Sequence, residues 1–187
     1  LSQAPLRPPL SFLKGAGRVV SRVDPGTAFD VAVVLDCAEK ERLGNIADQL
    51  EARLTLINID HHETNDRFGA INLVEPEGSS TGELVFGVIQ AAGLPIDPDV
   101  AGNLFAAIQG DTGSFRYANT TASALRAAAD LVERGADPWD ISRRVMDNYG
   151  MSRLRLLRMA LGTIQLHHEG RVGVMTVSYT HLRAHET

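Results

Sequence analysis

The fold is decided by two stretches of sequence: residues 31–36, which read VAVVLD, and residues 54–62, which read LTLINIDHH. The first stretch is apolar at every position up to its acidic end, which is typical of a parallel strand covered by helices on both faces. The second ends in Asp60, His61 and His62. In open α/β sheets the binding crevice lies beyond the carboxyl ends of the strands. We therefore expect a functional site where these two strands end.

Outward from these strands, β-type runs alternate with helical periods. The spacing of apolar residues and the end signals predict a helix around Leu43–Ala52, a strand over Ile71–Val74, helices over Thr81–Ala92, Asp97–Gly110, Ala122–Arg134, Pro138–Asp147 and Ser152–His167, and a strand over Arg171–Val177. This alternation is typical of an α/β domain. We predict a mainly parallel sheet with helices on both faces.

Composition narrows the classes of function. A chain of 187 residues has the length of one domain, and the single cysteine excludes an internal disulfide and a cysteine-based zinc site. The net charge of -5 argues against a broad basic surface for long nucleic acid. No apolar run reaches the ~18–20 residues that cross a bilayer, and the sequence does not start with a secretory signal. We expect a cytoplasmic protein with no membrane contact.

The polar residues at the predicted strand and helix ends indicate metal chemistry. Asp36 alone is best explained as a turn or cap residue, and Asp111 alone fits a turn equally well. Two adjacent imidazoles after an apolar strand, in Asp60-His61-His62, favour function. Carboxylate and imidazole ligands suit Mn²⁺ or Mg²⁺. Two such ions ~3.5–4 Å apart activate water and clamp a leaving oxygen, so we predict a metal-dependent phosphoesterase.

The same residues resemble a known family. The strand-end Asp36, the Asp60-His61-His62 triplet and the loop 110–115, which reads GDTGSF, are similar to the DHH phosphoesterases, in particular their nano-RNase and pAp phosphatase branch. Residues 12–16 (FLKGA), 41–44 (ERLG) and 79–84 (SSTGEL) support the resemblance, which covers about residues 12–177.

The resemblance implies a role for each site residue. Asp36 would bridge two Mn²⁺ ions, with Mg²⁺ as the alternative, and His61 and Asp111 would be further ligands. His62 would contact the scissile phosphate, and Asp60 would orient a neighbouring imidazole. Arg116 would touch the substrate, although an exposed arginine without a role is the simpler interpretation. The implied substrates are short oligonucleotides or a nucleoside bisphosphate, and a homodimer is one arrangement that the family allows.

Two motifs of the family have no counterpart in this sequence. No histidine precedes His61, so the family's first motif, a His followed by closely spaced Asp residues, is missing. A Gly-rich, His-containing substrate domain is also missing. We expect an internal fragment, truncated at the amino end, in which residues 1–177 form a partial catalytic domain that is inactive by itself. Residues 178–187 resemble translated sequencing-adapter read-through and are expected to be a non-native tail.

Two other functions stay open on the sequence alone. The chain could be a non-catalytic metal- or nucleotide-binding fragment, or a degenerate relative. It could also belong to a cyclic-dinucleotide phosphodiesterase of the same family, because relatives with different substrates share the metal core. An upstream His and Asp cluster in the full gene would support catalysis, and its true absence would support binding alone.

Overall fold

The computed structural model describes residues 1–2, 10–23, 27–49, 54–146 and 151–176. The chain divides into two compact units, residues 1–145 and residues 146–187. Among the described residues, no helix is long and apolar enough to cross a membrane. The expected tail at 178–187 lies outside the described residues, and the expected domain division stays a prediction.

The first unit contains a three-stranded parallel sheet. Its strands are β1 (Val31–Leu35), β2 (Thr55–Asp60) and β3 (Ile71–Val74), in the order β1-β2-β3. Leu35 lies opposite Ile59 across the ladder, so β1 and β2 end side by side. The predicted α/β class, the parallel pairing and the three strands are confirmed. The strand ends that carry Asp36 and Asp60 therefore meet at one edge of the sheet.

The connection from β1 to β2 differs from the prediction. Residues Lys40–Gln49 form 3-10 turns rather than an α-helix, and Gly44 interrupts them with φ 48° and ψ -131°. The helix predicted around Leu43–Ala52 is wrong as far as the described residues extend, and positions 50–52 lie outside them. A glycine in the left-handed region explains the kink, because other residues adopt that conformation at a cost.

In the described part of the chain, β3 is followed by the helices α1 (Thr81–Ala91), α2 (Pro98–Asp111), α3 (Ala122–Glu133) and α4 (Pro138–Met146). The side chains of Ser80, Asp97 and Thr121 cap the first three by accepting from a backbone N–H three residues on. The four predicted helices are confirmed, with ends shifted by about one residue. The shift at α2 is the important one, because Asp111 belongs to the helix.

Burial is concentrated in the helices. One buried core joins α1 to α4: Phe86, Ala101, Leu104, Phe105, Ala106, Ile108, Ala124, Ala127, Ala128, Leu131, Ala136 and Ile141. A second, small core contains Val34, Cys37 and Leu43. On β1, Val31, Val33 and Leu35, which alternate with buried Val34, are 45%, 54% and 49% exposed. Among the described residues, therefore, only one face of β1 is packed against other residues.

The second unit contains α5 (Met151–Leu161) and an antiparallel hairpin of β4 (Gln165–His167) and β5 (Val172–Val174). The single helix predicted over Ser152–His167 is wrong in its last third. The Thr163 hydroxyl donates to Ala160 O at 2.7 Å where the helix ends. His167, predicted to end a helix, is a strand residue.

Candidate functional site

Asp36 occupies the end of β1 in a strained backbone conformation. Its φ of 57° is in the left-handed region, which is uncommon for residues other than glycine and is often found at functional sites. The Asp36 N–H donates to Ile59 O at 3.1 Å, so β2 holds the backbone. The carboxylate is about half exposed, and its Oδ1 accepts from the Thr81 hydroxyl at 2.9 Å. Hydrogen bonds to β2 and from Thr81 therefore hold the backbone and the carboxylate of this residue in place.

Asp60, the last residue of β2, is fully buried and anchors His62. Its Oδ1 accepts from Nδ1 of His62 at 2.7 Å and from the His61 N–H at 2.9 Å. Its Oδ2 accepts from Nδ2 of Asn65 at 2.6 Å. Burial acts to raise the pKa of Asp60, but the bonds from His62 and Asn65 outweigh it and lower that pKa. Asp60 is therefore an ionised acceptor that orients the His62 ring.

His61 lies between the two remaining carboxylates. Its Nε2 is 3.6 Å from Oδ1 of Asp36 and 3.8 Å from Oδ2 of Asp111. Its Nδ1 is 3.3 Å from the Gly78 carbonyl oxygen, which can only accept. Nδ1 is therefore the donor in that contact, and Nε2 is the ring nitrogen that faces the two carboxylates.

Asp111 is the last residue of α2, and its side chain reaches the site. Burial, and then the negative charge of Asp36, raise its pKa, while the imidazoles of His61 and His62 act in the opposite direction. A raised pKa means that its ionised form is under-compensated. A cation bound between Asp36 and Asp111 would supply the missing charge.

Of the predicted site residues, Arg116 is held differently from the others. Its side chain is exposed, and its Nε donates to Gly113 O at 2.8 Å within its own loop. No contact in the described residues links it to the Asp and His side chains above. Its predicted role in substrate binding stays a prediction.

Sequence reasoning missed three polar residues that support the site. Asn65 donates to Asn58 Oδ1 at 2.8 Å and to Cys37 O at 3.1 Å, as well as to Asp60. Thr81 bonds Asp36, as described above. Asn58 is fully buried within an apolar strand, so its polarity was the one available signal, because buried amides need partners. Asn65 and Thr81 gave no such signal.

The described residues offer a cation a suitable donor set. Ligand atoms of Asp36, His61 and His62 lie within 4.8 Å of one another. Asp60 already engages Nδ1 of His62, whereas Nε2 of His61 also lies beside Asp111, so Asp36, Nε2 of His61 and Asp111 form the alternative donor set. Two carboxylates and an imidazole, without thiolate, fit Mn²⁺ or Mg²⁺.

Comparison with known proteins gives a consistent result. Residues 5–108 match the family described as DHH family, N-terminal domain. Over 151 residues the chain is 34% identical to the bifunctional oligoribonuclease and PAP phosphatase NrnA of Thermus thermophilus, covering 81% of this chain and 44% of that protein. Over 129 residues it is 30% identical to the Bacillus subtilis protein of the same name, covering 67% and 40%.

A solved structure has the same fold. An exopolyphosphatase-related protein from Bacteroides fragilis superposes with a TM-score of 0.84 at 26% identity, covering 95% of this chain and 55% of that one. The chain thus spans less than half the length of the two NrnA relatives and about half of this structure.

Proposed function

Because the chain belongs to the DHH family, we propose that its protein is a metal-dependent phosphoesterase that hydrolyses short oligonucleotides or pAp. The observation that carries the proposal is the position of His61. Its Nε2 lies 3.6 Å from an oxygen of Asp36 and 3.8 Å from an oxygen of Asp111, although these residues come from three different elements. The names of the NrnA relatives supply the substrate class.

Asp36, His61 and Asp111 would hold the metal, which we take to be Mn²⁺, with Mg²⁺ as the alternative. Divalent ions at such a site polarise a phosphoryl oxygen and lower the pKa of water. Asp60 holds Nδ1 of His62, so the ring can offer only Nε2 to a substrate. Nε2 is then the ring nitrogen placed to contact a phosphate oxygen of the substrate. Arg116 is the second candidate for substrate contact.

The number of ligands limits what this chain does alone. Mn²⁺ and Mg²⁺ prefer about six ligands each, and Asp36, His61 and Asp111 provide three protein ligands between them. We therefore propose one ion for this chain and two-metal catalysis for the full gene product only. As a cytoplasmic protein it would meet nucleotide substrates directly. Analytical ultracentrifugation would distinguish a monomer from the homodimer that the family resemblance allows.

The test is Mn²⁺-dependent hydrolysis of pAp, a short oligoribonucleotide and a cyclic dinucleotide by the full gene product. We expect turnover of the first two, and at least about a 100-fold loss in Asp36→Ala, because a ligand is removed. Asp66→Asn is the matched control, since this carboxylate is exposed on the loop after the histidines. Wild-type turnover in Asp36→Ala would overturn the site. Metal binding without any hydrolysis would favour the second candidate, a metal-binding module, which the three-ligand count supports.

A further inference from the structure

We propose that the segment 78–81 is the scaffold that fixes all three candidate metal ligands, with Thr81 as the positioning residue for Asp36. The inference rests on the proposed function and assigns a task to residues that have none in it. Residues 79–84 stood out in the sequence only as a family-like motif. In the structure, this segment contacts Asp36 and His61 directly and is joined to the backbone of Asp111 through Asn119.

Thr81 controls the orientation of Asp36. The threonine hydroxyl is 2.9 Å from Oδ1 of Asp36 and belongs to a residue that is 5% exposed, whereas the aspartate side chain is 53% exposed. An exposed carboxylate has several rotamers of similar energy. A buried donor at hydrogen-bond distance selects one of them, in which the same Oδ1 lies 3.6 Å from Nε2 of His61.

The carbonyl groups of Gly78 and Ser79 link the segment to the other two ligands, directly to His61 and through Asn119 to Asp111. Gly78 O lies 3.3 Å from Nδ1 of His61, and Nε2 is the ring nitrogen that faces the carboxylates. Ser79 O accepts from Nδ2 of Asn119 at 2.9 Å, and the same nitrogen donates to Asp111 O at 3.1 Å. One amide group thus joins the segment to the end of α2.

Burial and hydrogen bonds hold the segment itself in place. Ser79 and Ser80 are fully buried. Ser80 caps α1 by accepting from the Glu83 N–H, and Glu83 Oε2 accepts from both the N–H and the hydroxyl of Ser79, at 2.9 and 2.6 Å. A Cβ on Gly82 would lie 2.7 Å from Cβ of Ala107, so only glycine lets α1 approach α2 this closely. This close packing of α1 against α2 therefore fixes the segment relative to α2.

The effect of Thr81 is testable on this chain with Mn²⁺ as the only ligand. Groups that orient metal ligands typically change metal affinity by about 10–100-fold when removed. By isothermal titration calorimetry we expect Thr81→Val, which keeps the shape and loses the hydroxyl, to bind Mn²⁺ at least about 10-fold more weakly. Thr81→Ser, which keeps the hydroxyl, should bind within about 3-fold of the wild type. Melting of the metal-free proteins is recorded alongside.

Thr121→Val is the matched control, because this threonine also lies at the start of a helix and its hydroxyl contacts no site residue among those that the structure describes. It should lower the melting temperature and leave Mn²⁺ affinity unchanged. Equal Mn²⁺ affinity in Thr81→Val and wild type would overturn the inference and leave the proposed function standing. Should Thr81→Val fail to fold, Asn119→Ala decides instead: weaker Mn²⁺ binding supports the scaffold, and wild-type binding overturns it.

A second measurement separates failure of the inference from failure of the proposed function. If the wild type binds no Mn²⁺, the proposed metal site is wrong for this chain. Crystal structures of metal-free wild type and Thr81→Val still test the positioning. We expect the Asp36 carboxylate to be ordered against Thr81 in the former and to adopt another rotamer in the latter. The same Asp36 rotamer in both structures would overturn the inference.

Discussion

The two sides of the site are built by different forces. Asp111 is the last residue of α2. Ile108, three residues earlier on the same helix, is fully buried in the core formed by α1 to α4. Asp36 follows β1, whose Val33 is half exposed, and the chain just after Asp36 is tied to β2 and its following loop because the amides of Asn58 and Asn65 both donate to Cys37 O. The helix side is positioned by apolar packing and the strand side by polar contacts.

This difference sets what each side responds to. Apolar packing is lost when side-chain volume is removed, and it is insensitive to pH. A buried polar network depends on every donor meeting an acceptor, and on the charge of Asp60. We therefore expect variants that remove side-chain volume to affect the helix side more. Variants or pH changes that alter polar groups should affect the strand side more.

The largest expected effect comes from volume loss on the helix side. Leu131, on α3, is fully buried in the helical core. We expect Leu131→Ala to lower the free energy of unfolding by about 2–5 kcal/mol. Val33→Ala on β1 should cost under about 1 kcal/mol, because that side chain is already half exposed. Urea unfolding of both variants measures the contrast, and equal losses would show that β1 is covered in solution.

The next effect should appear in the polar network of the strand side. Asp60→Asn keeps the shape but turns an NH₂ group towards Nδ2 of Asn65, which now donates to Asp60 Oδ2 at 2.6 Å. Two donors then face each other, and rotating Asn65 would break its Oδ1 bond from the Arg67 N–H. We expect a loss of about 1–3 kcal/mol in the free energy of unfolding.

Asp66→Asn provides the comparison for that variant, since it makes the same chemical change at an exposed position six residues along. It should shift the free energy of unfolding by less than about 0.5 kcal/mol. A loss of similar size in both variants would mean that net charge, rather than the buried network, accounts for the result.

Local sequence patterns predicted the elements on both sides of the site. The apolar runs predicted all three strands of the sheet, and the cap signal at Asp97 lies where α2 begins. Asp36, His61 and Asp111 were chosen from their places after strands and near a helix end, and the structure brings these three together. Periodicity and end signals act locally, so they can be read from one stretch at a time.

Contacts between distant segments could not be predicted in this way. The hydroxyl of Thr81 meets a carboxylate 45 residues earlier, and Asn65 meets a carbonyl 28 residues earlier. Such pairs depend on how the sheet and helices pack, which no spacing rule contains. The helix predicted around Leu43–Ala52 failed for a local reason, because Gly44 takes a left-handed conformation that a regular helix does not allow.

A smaller effect on stability is expected when the helix cap at Ser80 is removed. Ser80→Ala removes the side chain that accepts from the Glu83 N–H, and Thr121→Ala removes the equivalent cap of α3. Both should lower the free energy of unfolding by about 1 kcal/mol. Only Ser80→Ala should also weaken Mn²⁺ binding, because Ser80 lies within the segment 78–81. Weaker binding in both variants would indicate that general loss of stability, and not this segment, controls the metal site.

The smallest expected effect is a dependence on pH that belongs to the strand side. The pKa of Asp60 is lowered in the folded state, so its contribution to stability is full above its unfolded pKa, about 3.9, and is lost as pH falls through its folded pKa. Asp111, whose pKa is raised, contributes with the opposite sign. Metal-free urea unfolding at pH 6, 5, 4 and 3 should show that the wild type loses its advantage over Asp60→Asn only below about pH 4. A gap that stays constant down to pH 3 would contradict the assignment of Asp60 as the ionised anchor of His62.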